Sequence, residues 1–199
     1  SRIISSAHDM GISCVAIYTE ADKDTPYVRE ADQAFKLSDS YLNSKEILDI
    51  ALKSNSDAIH PGYGFLSENA AFANQVKKLN IKWVGPSSNA IKKMGDKLTA
   101  KEIAIKANVP TLPMTSDPNK ANSIGYPILV KAAAGGGGKG MRIVEKARDL
   151  KESIKAAERE AEGGFGDKRV FLERYIKRSR HIEIQILGDS FGNIVHLGE

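Results

Sequence analysis

The sequence predicts an α/β protein in which a doubly wound unit is followed by a smaller α+β unit. Residues 1–84 alternate helical and strand patterns, which is typical of a doubly wound fold. Within them, Cys14–Tyr18 is a continuous apolar run, as expected for a parallel strand buried on both faces. Further on, the glycine-rich run Gly135–Gly140 lies between two apolar, β-branched runs, which predicts strand, loop, strand.

The composition is that of an ordinary globular protein. Of 199 residues, 41% are hydrophobic and 27% are charged, and the net charge is +4. Charges this balanced and scattered argue against a nucleic-acid-binding protein. The single cysteine, Cys14, excludes an internal disulfide and the usual cysteine-based zinc sites, and it suits a reducing compartment.

The chain contains no apolar stretch of membrane-spanning length and no signal peptide pattern. The expected location is therefore the cytoplasm of a bacterium or, in a eukaryote, the mitochondrial matrix. The sequence begins within a predicted helix, which has Ile3, Ile4, Ala7 and Met10 on one face and ends at Gly11. The last residue, Glu199, follows the end of a predicted strand. Both ends together suggest an internal piece of a longer protein.

The rest of the first unit continues the alternation. Its patterns predict a loop at Asp22–Pro26, a helix after the capping-box sequence Asn43–Glu46, a strand at Asp57–Ile59, a helix with Phe72, Val76 and Leu79 on one face, and a strand at Ile81–Val84.

A polar and aromatic loop, His60–Asn69, follows the strand at Asp57–Ile59. Open α/β sheets bind ligands at the carboxyl ends of their strands, so this loop is a candidate site. Two glycines around Tyr63 allow a sharp backbone path that exposes the ring. A purely structural interpretation remains open, in which Ser67 and Asn69 cap the next helix and His60 is a hydrogen-bonded structural histidine.

The second unit begins at about Thr111, after two short helices predicted at Ser88–Met94 and Thr99–Ala107. Its later patterns predict a helix capped by Asp149 and ended by Gly163-Gly164, a strand at Val170–Ile176, an alternating half-buried strand at Ile182–Ile186, a turn from Gly188 to Asn193, and a strand at Ile194–Leu197.

The glycine-rich run is suited to binding an anion, because glycines let backbone N–H groups turn inward. Lys131 and Lys139 add positive charge, so a polyphosphate is the expected ligand. The Walker A pattern fails because Gly140 follows Lys139, and the dinucleotide fingerprint fails because a strand follows the loop. Protein kinases place their lysine after such a loop, and no H-R-D or D-F-G motif occurs here. A flap folding over nucleotide phosphates fits best.

Four motifs in order identify a family resemblance. The motif KAAAGGGGKGMRIV resembles the glycine-rich loop of the ATP-grasp superfamily. More narrowly, this motif resembles biotin carboxylases, and so do the motifs HPGYGFLSEN, MGDK and RHIEIQILGD. The resemblance implies a pre-ATP-grasp (Rossmann-like) domain over 1–84, a helical linker over 85–111, an ATP-grasp lid subdomain over 112–175, and the truncated start of the C-terminal ATP-grasp subdomain over 176–199.

The resemblance also implies roles for individual residues. ATP would be bound by Lys97, Lys131, Gly135, Gly136, Gly137, Gly138, Lys139, Gly140, Met141, Glu173, Arg174, Ile176 and His181. Within this set, Glu173, Arg174 and Ile176 would hold the adenine. Tyr63 and Gly64 would lie near biotin. The family's catalytic and metal-binding residues would follow Glu199, so neither is predicted here.

The activity implied by the resemblance is ATP-dependent carboxylation of biotin on a biotin carboxyl carrier protein, with bicarbonate as the carbon source. ATP, Mg²⁺ or Mn²⁺ and carrier-bound biotin are the implied cofactors. A carboxyltransferase and a second copy of the protein are the implied partners. The final acceptor could be acetyl-CoA, propionyl-CoA, methylcrotonyl-CoA or pyruvate. Two alternatives stay open: another ATP-grasp ligase such as carbamoyl-phosphate synthetase, and a nucleotide-binding module without turnover.

Overall fold

The structure is a computed structural model that describes residues 1–134 and 140–199. The chain divides into two compact units, Ser1–Pro110 and Thr111–Glu199. The predicted α/β fold class is confirmed. In the part of the chain that the structure describes, no helix has the length and apolar character needed to cross a bilayer.

The first unit alternates helices and short strands. Its α-helices are α1 (Arg2–Asp9), α2 (Pro26–Glu30), α3 (Ser44–Lys53), α4 (Ala70–Lys78), α5 (Ser88–Gly95) and α6 (Lys97–Lys106). Its strands are β1 (Val15–Tyr18), β2 (Gln33–Lys36), β3 (Ala58–Ile59) and β4 (Lys82–Trp83). Short 3₁₀ helices occupy Glu20–Asp22 and Phe65–Glu68.

The four strands form two parallel pairs. β1 pairs with β2, with Val15 opposite Gln33, and β3 pairs with β4, with Ala58 opposite Lys82. Parallel neighbours need a crossover connection, and helices supply it in both pairs. The sequence predicted a loop at Asp22–Pro26 and no element after it before Asn43, so α2 and β2 were missed.

The helices of this unit are positioned by side-chain caps and by a shared core. Asn43 Oδ1 accepts the N–H of Glu46 at 3.2 Å, and Asn69 Oδ1 accepts the N–H of Phe72 at 2.9 Å, as the capping interpretation of Asn69 predicted. Phe72 meets Trp83 edge to face, with ring centroids 5.8 Å apart. The core comprises Leu37, Ile47, Ile50, Ala51, Leu66, Phe72, Ala73, Val76, Ile81, Trp83 and Ile91.

Helix α1 forms and Gly11 follows it in the left-handed region (φ 71°), as predicted, and none of the helix residues is buried. One expectation about burial in this unit was wrong. β1 was expected to be buried on both faces, yet only Ala16 is buried. An apolar run therefore predicted the strand but not the number of layers packed against it.

The second unit is an antiparallel sheet covered on one face by helices. Its α-helices are α7 (Ala121–Ile124) and α8 (Leu150–Phe165), and its strands are β5 (Met114–Thr115), β6 (Ile128–Ala132), β7 (Arg142–Val144), β8 (Val170–Arg174), β9 (Ile186–Gly188) and β10 (Ile194–His196). The larger sheet has the order β5-β8-β6-β7, and β9 and β10 form a separate hairpin.

Alternation along the strands sorts the side chains of the larger sheet onto two faces. Ile128 and Val130 of β6, Val144 of β7 and Leu172 of β8 point into the core, where Ala157 of α8 packs. The odd-numbered residues of β6 and β8 lie on the opposite face. This second face carries the candidate site.

Helix α8 differs from its prediction at both ends. Gly163 and Gly164 do not end it; the helix continues to Phe165, and Gly166 ends it in the left-handed conformation (φ 67°). Asp149 stands at the N-cap position but makes no side-chain capping bond. The buried face of the helix is the predicted one, with Leu150, Ala157 and Ala161 buried.

The C-terminal hairpin is shorter and more exposed than the sequence predicts. Pairing runs from Ile186 opposite His196 to Gly188 opposite Ile194, whereas a strand was expected from Ile182. Ile182 and Ile184 are each 52% exposed and lie outside the strand, so the predicted half-burial is wrong for this segment.

Candidate nucleotide-binding site

The site is built on the hairpin that frames the glycine-rich run. β6 and β7 pair antiparallel, with Ile128 opposite Val144 and Val130 opposite Arg142, which confirms the predicted strands on either side of the loop. Gly135–Lys139, five of the predicted ATP-binding residues, lie outside the residues that the structure describes. Their predicted role stays a prediction.

Lys131 meets a carboxylate across the sheet. Its Nζ lies 3.0 Å from Oε2 of Glu173, and the two side chains are 24% and 12% exposed. β6 and β8 are in a register that places Lys131 opposite Phe171 and Leu129 opposite Glu173. Lys131 and Glu173 are thus diagonal neighbours on the second face of the sheet. The Nζ also lies 5.7 Å from the centroid of the buried Phe171 ring.

This ion pair explains how a lysine is tolerated in an apolar strand. A half-buried ammonium needs an anion or it is strongly destabilised by desolvation. At 3.0 Å and an effective dielectric near 20, the gross attraction is about 5 kcal/mol, much of which offsets the desolvation of both groups. The sequence-based interpretation expected a phosphate as the anion. In the structure Glu173 supplies it, and the ammonium is fixed on the sheet beside the loop.

The strand that follows the loop is fastened to α8. Arg142 of β7 forms an ion pair with Glu160 of α8, while its Nε is buried and has no hydrogen-bond partner among the described residues. Gly140 has φ 69°, and a Cβ there would lie 3.2 Å from the Cβ of Ala132. A side chain at position 140 would therefore be strained as well as crowded. Met141, another predicted ATP-binding residue, follows it and is 46% exposed.

The predicted adenine-binding residues divide between two environments. Glu173 lies on the second face with Lys131, whereas the guanidinium of Arg174 donates to the carbonyl of Ile124 at 2.8 Å. The backbone N–H of Arg174 donates to Pro113 at 3.1 Å, and that of Tyr175 donates to Pro127 at 3.1 Å. These amides are therefore already engaged within the protein.

The first backbone amide after β8 that remains open is that of Ile176. No hydrogen bond to its N–H is present within the described residues, and its side chain is 45% exposed. An amide at the end of a central strand is a suitable donor for the edge of a planar base. The predicted adenine contacts of Glu173, Arg174 and Ile176 stay predictions.

Two other predicted ATP-binding residues belong to other segments of the chain. His181 is 84% exposed and its Nε2 lies 3.4 Å from Oε1 of Glu183. Lys97 opens α6 in the first unit, directly after Asp96, which caps that helix by accepting the N–H of Thr99 at 2.8 Å. The predicted nucleotide contacts of His181 and Lys97 stay predictions.

The predicted biotin-proximal loop has a defined local structure. It leaves the carboxyl end of β3, as expected, and presents Tyr63 at 94% exposure. The flanking Gly62 and Gly64 have φ 65° and 67°, which explains the two glycines. His60 Nδ1 accepts the N–H of Gly62 at 3.0 Å, in agreement with the structural interpretation of that histidine.

Sequence reasoning missed the residues that support Lys131 and the returning strand. Phe171 was not assigned to the site, but it is buried on the second face, with its ring centroid 5.7 Å from the Lys131 ammonium. Arg142 and Glu160 were not singled out at all. The alternation of side chains along β6 and β8 was the one sequence signal that could have placed Lys131 and Glu173 on the same face. Using that signal requires the register between the two strands, which depends on residues far apart in the sequence.

Comparison with known proteins agrees with this arrangement. Residues 96–199, just over half of the chain, match the family model described as carbamoyl-phosphate synthase L chain, ATP binding domain. The second unit therefore belongs to a class of ATP-binding domains that occur in ligases. Residues 1–91 match the model described as biotin carboxylase, N-terminal domain. The chain belongs to the biotin carboxylase family.

Individual relatives cover the whole chain. Biotin carboxylase 1 of Bacillus subtilis is 46% identical over 100% of the chain and 47% of its own length. The mitochondrial methylcrotonoyl-CoA carboxylase subunit alpha of Dictyostelium discoideum is 46% identical over 100% of the chain and 30% of its own length.

A solved structure agrees with these matches. The biotin carboxylase domain dimer of Hydrogenobacter thermophilus 2-oxoglutarate carboxylase, in complex with MgADP, ADP and bicarbonate, superposes with a TM-score of 0.93 at 42% identity, over 99% of the chain and 46% of that chain. The chain thus spans less than half the length of each of these three proteins.

Proposed function

We propose that this chain binds ATP for the carboxylation of biotin, with bicarbonate as the carbon source and a biotin carboxyl carrier protein as the bearer of biotin. The observation that carries the proposal is the Lys131–Glu173 pair on the sheet that holds the two ends of the glycine-rich loop. The Hydrogenobacter relative, solved with MgADP and bicarbonate, supports it.

In the proposed reaction, bicarbonate attacks the γ-phosphorus of ATP, and ADP leaves to give carboxyphosphate. The carboxyl group then passes to N1 of biotin, which loses its proton, and inorganic phosphate is released. Phosphoryl transfer of this kind depends mainly on positioning and on neutralising charge. Lys131 supplies a cation whose position is set by Glu173 and the sheet. Ile176 offers an amide to the base, and the hairpin carries the loop amides that would surround the phosphates.

Mg²⁺ would neutralise charge on the phosphates of the bound nucleotide. Among the described residues, the one group of three potential metal ligands within reach of one another is His8, Cys14 and Asp32. Its thiol and imidazole do not suit a hard cation such as Mg²⁺. The described residues therefore do not fit a magnesium site, and we assign no step to one here.

The domain boundaries and partners follow from the same proposal. The division of the structure at Pro110 supports the boundary between a linker over 85–111 and a lid over 112–175. The pre-ATP-grasp domain over 1–84 and the start of the next subdomain over 176–199 are proposed from the family resemblance. The dimeric Hydrogenobacter domain supports a homodimer. Relatives from a bacterium and a mitochondrion support either the cytoplasm or the mitochondrial matrix as its location.

The two alternative functions predict different products. A carbamoyl-phosphate synthetase would consume bicarbonate and ATP without biotin, and a non-catalytic module would bind ATP without consuming it. The match of residues 1–91 to the biotin carboxylase N-terminal domain favours the biotin reaction over both.

The test is ATP hydrolysis by the full-length protein. We expect hydrolysis to require bicarbonate and to be stimulated by free biotin. Hydrolysis stimulated by ammonia or glutamine instead of biotin would identify a carbamoyl-phosphate synthetase. ATP binding without hydrolysis under any of these conditions would identify the non-catalytic module and overturn the proposal.

A further inference from the structure

Three potential metal ligands converge where α1 meets the first strand pair. His8 lies in the last turn of α1, Cys14 precedes β1, and Asp32 precedes β2. Because β1 and β2 are parallel with Val15 opposite Gln33, Cys14 and Asp32 sit side by side at the same end of the pair. One donor atom from each of the three residues lies within 4.8 Å of the other two.

We propose that His8, Cys14 and Asp32 form a binding site for a thiophilic divalent cation, with Zn²⁺ as the ion that fits best. Imidazole nitrogen, thiolate sulfur and carboxylate oxygen are the three donor types that Zn²⁺ takes in proteins. A single cysteine excludes the sites built from several thiolates, but this mixed triad needs only one. It lies outside the nucleotide-binding residues and does not depend on the proposed function.

The separation of the His8 and Asp32 donor atoms is close to the one that a tetrahedral ion requires. Zinc–ligand bonds of ~2.0–2.3 Å place neighbouring ligand atoms ~3.3–3.8 Å apart. His8 Nε2 is already 3.0 Å from Asp32 Oδ2. An ion between them therefore needs only a small outward rotation of side chains that are 40% and 48% exposed.

The backbone holds two of the ligands in place. The N–H of Cys14 donates to Asp32 Oδ2 at 2.6 Å, and the N–H of Asp32 donates to the carbonyl of Cys14 at 2.9 Å. The N–H of Gly11 donates to the carbonyl of His8 at 2.9 Å, which fixes the end of α1. Bonds of this kind orient metal ligands before the ion arrives.

The surroundings leave room for an ion. A surface cavity of about 250 Å³ is lined by His8, Asp32 and the loop 11–13 between α1 and β1. It is large enough for the ion and a water molecule as fourth ligand.

Binding must remove the thiol proton, because the thiolate is the metal ligand. Burial, and secondarily the negative charge of Asp32, raises the pKa of the Cys14 thiol, so the metal-free thiol keeps its proton at neutral pH. Forming the zinc–sulfur bond therefore breaks the S–H bond and releases one proton to solvent, without any change of oxidation state. The affinity should accordingly rise with pH.

The test titrates the reduced, metal-free full chain with Co²⁺ and then with Zn²⁺. Since Cys14 is the only cysteine, a thiolate-to-cobalt charge-transfer band reports on this residue alone. We expect a band that saturates at one Co²⁺ per chain and is abolished by Zn²⁺. Zn²⁺ binding should release about one proton per ion near neutral pH and raise the melting temperature.

Variants distinguish metal binding by the triad from non-specific metal binding elsewhere on the protein. Cys14→Ser should abolish the band and the thermal shift, and His8→Gln and Asp32→Asn should each weaken Co²⁺ binding at least ~tenfold. His196→Gln, which changes an exposed histidine on β10, is the matched control and should bind as the original chain does.

Two results would overturn the proposal: the absence of a charge-transfer band, or a band whose titration is unchanged in both His8→Gln and Asp32→Asn. The second result would mean that the thiol binds cobalt without the triad. Because His8 is exposed, His8→Gln tests the proposal even if Asp32→Asn disturbs the strand ends. None of these measurements involves ATP, so their failure would leave the proposed function unaffected.

Discussion

At the scale of single residues, Lys131 shows most clearly how the structure adds to what the sequence predicted. The sequence showed a lysine in an apolar strand next to a glycine-rich loop, and electrostatics required an anion for it. The structure supplies Glu173, 42 positions away in the chain. A nucleotide phosphate would have to share the ammonium with this carboxylate or replace it. The ammonium is therefore positioned in advance of binding.

Replacing Lys131 by methionine should weaken ATP binding by about tenfold to a hundredfold in the full-length protein. The expected loss is about 2 kcal/mol of the phosphate interaction, which leaves the uncharged part of the ligand untouched. Adenosine, which lacks phosphates, should lose much less. Isothermal titration of both ligands against the original protein and the variant measures the difference.

Loss of the ion pair should also lower the stability of the Lys131→Met variant, although methionine and lysine have similar volumes. Methionine fills a similar space, but it leaves the 12%-exposed Glu173 carboxylate without this cation. Lys131→Met/Glu173→Gln also removes the carboxylate charge and so separates this effect from ATP binding. Lys146→Met, at an exposed lysine, is the control. Equal losses of affinity for ATP and adenosine would mean that Lys131 is structural and not a phosphate ligand.

At the scale of elements, helix α8 shows how position decides the effect of a glycine. Gly164 lies inside the helix, and a Cβ there would have no heavy atom within 4 Å. Gly166 ends the helix with φ 67°, in the region that side chains disfavour. Both glycines looked alike in the sequence, where the helix was expected to end at the first pair.

Alanine substitutions should therefore have opposite effects at these two positions. Gly164→Ala should raise the free energy of unfolding of the second unit by about 0.5–1 kcal/mol through helix propensity. Gly166→Ala should lower it by about 1 kcal/mol because of the left-handed backbone. Urea denaturation followed by circular dichroism measures both. A stabilising Gly166→Ala would show that the helix ends elsewhere.

The elements predicted correctly are those whose signals are local. Asn69 and the following residues specify the start of α4, and the apolar runs around the glycine-rich loop specify β6 and β7. β2 was missed because Gln33–Lys36 contains one large apolar residue, Phe35, and becomes a strand through pairing with β1. Such pairing depends on residues far away in sequence, which no local pattern encodes.

The candidate site follows the same rule. The sequence identified Lys131 and Glu173 separately, through the family resemblance, but it gave no reason for them to touch. Contact depends on the register that places Lys131 opposite Phe171. The alternating isoleucines at Ile182 and Ile184 show the converse, because a pattern typical of a half-buried strand is found on exposed residues outside any strand.

At the scale of the whole molecule, the described residues form two hydrophobic cores, one in each unit. The first contains Trp83, the only tryptophan in the chain, and the second is built around Ile128, Val130 and Leu172. Tryptophan fluorescence therefore reports on the first core alone, whereas circular dichroism reports on helices of both units. The two signals allow the stability of each unit to be measured in one sample.

Leu172→Ala should destabilise the second unit by about 2–5 kcal/mol, because Leu172 is 2% exposed and its truncation leaves a cavity. The urea midpoint measured by tryptophan fluorescence should not change. The part of the circular dichroism transition that belongs to the second unit should move to lower urea concentration. Val76→Ala, in the first core, is the matched variant and should show the reverse pattern. A fluorescence midpoint shifted by Leu172→Ala would mean that the two cores unfold as one cooperative system.

The strand order β5-β8-β6-β7 has a consequence for the protein while it is being synthesised. β8 lies between β5 and β6, yet it is the last of the four to leave the ribosome. Until Arg174 has emerged, β5 has no partner and β6 is paired only with β7 in an isolated hairpin, which is marginally stable at best. The open edge of β6 exposes unpaired backbone groups during this interval. A nascent chain that stalls within α8 would therefore be a target for chaperones or a seed for aggregation, although every residue of the glycine-rich loop has already been made.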